Sequence, residues 1–113
     1  MILVVDDDED VRDMITLTLE MNGFEVEGAA DGARALAMMV ARRPCLVILD
    51  LVMPTLSGHE VLEQMQARGI DVPVCVFSAL GTTTPAEAVA SLAKPFEVKQ
   101  LTAIAGRYCT HRT

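Results

Sequence analysis

Short apolar runs that stop abruptly on a polar residue recur along this chain. Ile2 to Val5 runs into Asp6, Asp7 and Asp8, Cys45 to Leu49 into Asp50, and Val74 to Phe77 into Ser78. Ser91 to Ala93 is a brief fifth strand candidate, followed by Lys94-Pro95. Runs this short, rich in β-branched residues and apolar on every position, are the mark of strands buried on both faces of a parallel sheet. Helical patterns separate them. Val11, Met14, Ile15 and Leu19 recur at helical spacing up to Met21, and Asn22-Gly23 reads as the C-cap. Phe24 to Gly28 alternates as a strand does. Asp31-Gly32 opens a helix over 33–41, a third helix is expected near 59–67 with Gly69 closing it, and 97–108 reads as the last. Thr84-Pro85-Ala86-Glu87 has the pattern of a capping box with proline at N1, which predicts a short helix between the fourth and fifth strands.

A repeated strand–helix order requires right-handed crossovers and a parallel sheet covered on both sides. The expected fold is therefore α/β: a flavodoxin-like, doubly wound, five-stranded sheet in the order 2-1-3-4-5, with a shortened fourth helix. Residues 1–113 read as a single domain. With 51% hydrophobic residues the chain can build a core without a metal or a disulfide. Nine basic against 16 acidic residues leave a formal charge of −7, which argues against direct binding to nucleic acid or to an anionic membrane. No apolar run approaches the length of a membrane span, and no basic leader precedes the first strand. Cys45, Cys75 and Cys109 are odd in number and lack CxxC spacing. Cys45 and Cys75 read as small buried core residues, and a reducing, cytoplasmic setting fits that reading. Met14, Met21, Met38, Met39, Met53 and Met65 are likewise read as core, and His59 and His111 as solvated.

In such a sheet, ligands bind beyond the carboxyl ends of the strands, where the strand order reverses. Strands one and three are neighbours in the order 2-1-3-4-5, so Asp6, Asp7 and Asp50 should converge there. Carboxylates held that close repel one another unless a hard cation neutralises them, and Mg²⁺ suits an all-oxygen donor set completed by water or phosphate. Glu9 and Asp10 are better read as acids at a helix start, favoured by the dipole.

The ordered set Leu3-Val-Val-Asp6-Asp7-Asp8, Val47-Ile-Leu-Asp50-Leu-Val-Met53-Pro54, Gly58, Ser78-Ala79 and Lys94-Pro95-Phe96 resembles the receiver domains of bacterial two-component response regulators. The resemblance implies that Asp50 is the phospho-acceptor. It implies that Asp6 and Asp7, with Asp50 and the backbone carbonyl of Val52, hold Mg²⁺. Ser78 and Lys94 would meet the phosphoryl oxygens. The implied donor is a histidine kinase or phosphotransfer protein, and the implied output is a protein effector or an attached output domain. The chain would act as a switch and not as an enzyme with an external product. The alternative is a pseudo-receiver, an interaction module that keeps the fold without phosphorylation. A hydrolase of the haloacid dehalogenase type would want an aspartate where Val52 stands.

Two features depart from the family pattern. Ser91 occupies the position where an aromatic residue is usual, and Ser78 and Lys94 are closer in sequence than is typical. Without the ring, the response is expected to leave through the Gly81 to Pro85 loop. In the receiver family the positions of Val52 and Leu80 flank the path of the hydrolysing water, so the resemblance implies that these apolar residues give a long-lived phosphoryl group.

Overall fold

A computed structural model of the chain describes residues 1–53, 56–78, 88–93 and 97–109. Its elements follow in the order β1 (Ile2–Val5), α1 (Glu9–Met21), β2 (Val26–Ala29), α2 (Gly32–Ala41), β3 (Leu46–Asp50), α3 (Gly58–Ala67), β4 (Val74–Ser78), β5 (Ala90–Ala93) and α4 (Val98–Tyr108). The five strands form one parallel sheet in the order β2-β1-β3-β4-β5. The expected architecture is thus present. The helix predicted near 84–87 lies outside the described residues.

Strand alternation divides the core into two layers. Leu3, Val5, Val47, Leu49, Val74 and Val76 face α2 and α3, where Leu36, Met39, Val61 and Met65 pack on them. Ile2, Val4, Leu46, Ile48, Cys75 and Phe77 face the other way, against Ile15 and Leu19 of α1 and Leu101 and Ala105 of α4. Burial on both faces is why β1, β3 and β4 have no polar position before their last residue.

Local signals set the helix ends. Asp8 caps α1, its side chain accepting from the N–H groups of Asp10 and Val11, so Glu9 and Asp10 fall in the first turn, where acids suit the helix dipole. Asp31 caps α2 in the same way. Ser57 and Glu60, at the Ser-x-x-Glu spacing, form a capping box at the start of α3. Gly23 and Gly69 take positive φ after α1 and α3, as their C-terminal positions require.

Two expectations are corrected. Met14 and Met21 are 53% and 78% exposed, not core, because they lie off the face of α1 that carries Ile15 and Leu19; Met39, Met53 and Met65 are buried as expected, and Met38 is half-buried against the core. Cys45 is not a free core cysteine: it is half-buried and joined by a disulfide to Cys109. That bond removes the premise from which a reducing setting was inferred. Cys75 is free and buried, as expected.

Candidate functional site

The pairing of β1 with β3 matches Val5 to Leu49, so the next residue on each strand, Asp6 and Asp50, emerges side by side at the carboxyl edge. Asp7 follows at once. One carboxylate oxygen from each of Asp6, Asp7 and Asp50 lies within 4.8 Å of the others. The convergence expected from the sequence is therefore realised. Asp6 and Asp50 are the buried charged side chains among the described residues, at 0% and 4% exposure, while Asp7 is exposed. Burial of carboxylates is costly unless a cation or a set of donors offsets it.

Backbone donors hold two of the three carboxylates. Asp6 Oδ1 accepts from the Asp8 N–H at 2.9 Å, which turns the chain from β1 into α1. Asp50 Oδ1 accepts from the Val52 N–H at 3.1 Å. Beyond Asp50, the Leu51 N–H donates to the Phe77 carbonyl and the Gly58 N–H to the Leu51 carbonyl, which brings the start of α3 against the end of β3. Gly58 is needed there: a Cβ on it would sit 2.6 Å from the Asp50 carbonyl oxygen and from Leu51 Cα. Val52 lies 61% exposed beside the site.

Arg12 belongs to this neighbourhood and was missed in the sequence. Its Nη1 donates to the backbone carbonyl of Asp6 at 2.8 Å. Its stem crosses Gly28 of β2, where a Cβ would meet Arg12 Cδ at 3.0 Å. The signal was available, a lone basic residue one turn past the N-cap in an acidic stretch, but its reach to Asp6 depends on how α1 lies on the sheet.

Ser78 ends β4, paired in register with Ala93 of β5, and so stands at the same edge as the carboxylates. Lys94, Leu80 and the Gly81 to Pro85 loop lie outside the described residues. Ser91, in the position usually aromatic, is an exposed residue of β5.

The donor set of Asp6, Asp7 and Asp50 is all oxygen and carries three negative charges, which fits a hard divalent cation of the size and preference of Mg²⁺. No helix among the described residues is long and apolar enough to cross a membrane.

Comparison with known proteins agrees with this arrangement. Residues 2–105 match the family model described as the response regulator receiver domain. A response regulator of Mycobacterium avium, MprA, is 41% identical over 110 residues, covering 90% of this chain and 47% of MprA. The chain thus spans about half the length of the curated relatives it matches. The receiver domain of NtrX from Brucella abortus superposes with a TM-score of 0.85 at 32% identity, covering 96% of this chain and 97% of that one. The Thermotoga maritima response regulator TrrA, solved in complex with Mg²⁺ and BeF, has a TM-score of 0.85 at 28% identity, covering 95% and 96%.

Proposed function

Because the chain belongs to the response regulator receiver domain family, we propose that it accepts a phosphoryl group on Asp50 in a two-component signalling system. The donor is a phosphohistidine on a histidine kinase or phosphotransfer protein. The observation that carries this reading is the gathering of Asp6, Asp7 and Asp50 within 4.8 Å at the carboxyl edge.

Asp50 provides the nucleophile. One carboxylate oxygen attacks phosphorus, the phosphorus–nitrogen bond of the phosphohistidine breaks, and the imidazole leaves with the bonding pair. The Val52 N–H at Asp50 Oδ1 holds that carboxylate in one orientation. Asp6, Asp7, Asp50 and the Val52 carbonyl would hold Mg²⁺, which when bound supplies positive charge toward the phosphoryl oxygens. The Ser78 hydroxyl and the Lys94 ammonium serve as donors to the same oxygens, where charge accumulates during transfer. The register of Ser78 with Ala93, the residue before Lys94, supports that pairing of roles.

The chain is a switch with no external product, and residues 1–113 form its single receiver domain. The output is carried by an attached domain, which the relatives' greater length supports, or by a separate protein effector. A net charge of −7 disfavours direct contact with nucleic acid or an anionic membrane. A cytoplasmic setting, where such donors work, completes the reading.

Incubation with acetyl phosphate and Mg²⁺, followed by intact mass, tests it. One phosphoryl group should be added, it should require Mg²⁺, and Asp50→Asn should abolish it. Labelling that persists in Asp50→Asn would overturn the assignment.

A further inference from the structure

Cys45 and Cys109 are 64 residues apart in sequence, yet their Cα atoms are 5.5 Å apart and their sulfurs are bonded. Cys45 stands immediately before β3, and Cys109 is the C-cap of α4. The bond therefore joins the foot of the strand that ends in Asp50 to the last turn of the helix on the opposite layer from α2 and α3. Leu101 and Ala105 are the buried residues of α4, so the carboxyl end of the helix is anchored near its tip by Ala105, the half-buried Tyr108 and the disulfide. The Cys109 N–H donates to the Ala105 carbonyl at 2.9 Å, closing that turn.

Cys45 and Cys109 are both half-buried, so the pair lies nearer solvent than the enclosed Cys75. The reduced form of Cys45 has an acceptor in place, because its Sγ lies 3.2 Å from the Met1 carbonyl oxygen. Cys75 is different. It sits in the core, and burial pushes its thiol up to about 12, so it stays protonated and enclosed. Exchange chemistry is therefore confined to one pair.

We infer that Cys45 and Cys109 form a reversible redox staple that fastens the last turn of α4 to the amino edge of the sheet when oxidised and frees it when reduced. The oxidant is a disulfide compound of the glutathione class. The thiolate of one cysteine attacks a sulfur of the oxidant and expels one thiolate. The other cysteine, deprotonated, attacks the protein sulfur of the mixed disulfide and expels the second. Two protons and two electrons leave the protein, and one disulfide becomes two thiols. That the staple is reversible rests on the cytoplasmic setting proposed above, since disulfides in that compartment are commonly transient and redox-sensing.

The test requires no phosphoryl donor, so its outcome is independent of the phosphorylation reading. The chain is equilibrated with oxidised glutathione or with excess dithiothreitol, then denatured and alkylated. Intact mass should show one adduct after oxidation, on Cys75, and three after reduction. The oxidised form should melt about 10 °C or more above the reduced form, because the cross-link closes a long loop in the unfolded chain. Cys109→Ser and Cys45→Ser should each remove that difference, while Cys75→Ala should keep it. Hydrogen exchange at residues 105–109 should be slower when oxidised. Three adducts after oxidation, a bridge that includes Cys75, or equal melting of the two forms would overturn the staple. A bond that resists dithiothreitol in the folded protein would overturn its reversibility.

Discussion

At the amino edge of the sheet the chain is tied down by several independent devices. The Ile2 N–H bonds the Glu25 carbonyl, the Cys45 N–H the Met1 carbonyl and the Val47 N–H the Pro73 carbonyl. Arg42 pairs with Glu25 at 2.6 Å, Arg43 donates to the Asp71 carbonyl, and Cys45 is bonded to Cys109. At the carboxyl edge three carboxylates crowd within 4.8 Å, two of them buried. The same strands thus end in attraction at one edge and in like-charge repulsion at the other. Like charges gathered at one edge suit a cation, and that is the chemistry proposed for the carboxyl edge.

Three changes break or sharpen this contrast. The largest effect on stability is expected from Gly58→Ala. Its Cβ would press on the backbone of Asp50 and Leu51, which cannot swing aside. Overpacking of this kind costs about 2–3 kcal/mol, so the melting temperature should fall by roughly 10 °C. Because the displaced atoms belong to Asp50, phosphorylation by acetyl phosphate should slow as well. A variant that melts and labels like the parent would show that the carboxyl edge is looser than the geometry describes.

Asp7→Ala comes next. It removes one of the three carboxylates proposed to hold Mg²⁺ and should weaken Mg²⁺ binding at least about tenfold, or about 1.4 kcal/mol. In chelator the same variant should melt at or above the parent, because a repelling charge is gone. Titration calorimetry and a melt in chelator report the two halves separately. A variant that melts well below the parent without metal would remove the repulsive character of this edge.

The smallest change is expected at the amino edge. Arg42 and Glu25 form a short ion pair, and Glu25 is the main reason that the Arg42 pKa is raised, but both side chains remain solvated. Surface pairs of this kind are screened and contribute little. Arg42→Ala should leave the melting temperature within error of the parent at moderate salt. A clear loss would mean that the attractive edge depends on this pair and not on the covalent and backbone ties around it.

Much of this molecule can be read from residue order. Apolar runs that end on Asp6, Asp50 and Ser78 define the strands, their carboxyl edge and the place where charge collects, because a strand buried on both faces tolerates no polar residue until it emerges. The helix caps at Asp8 and Asp31 are equally local, since capping is decided within four residues. The exposure of Met14 and Met21 is not local in that sense. Helical spacing marks a stripe, and only contact with the sheet selects which side of the stripe is covered. Arg12 is similar, since its bond to the Asp6 carbonyl depends on how α1 lies across β2. The Cys45–Cys109 bond stands furthest from the sequence. Nothing in three unevenly spaced cysteines pairs two residues 64 positions apart; the antiparallel run of α4 along the sheet brings its end to the foot of β3, and that path is set by packing across the whole layer.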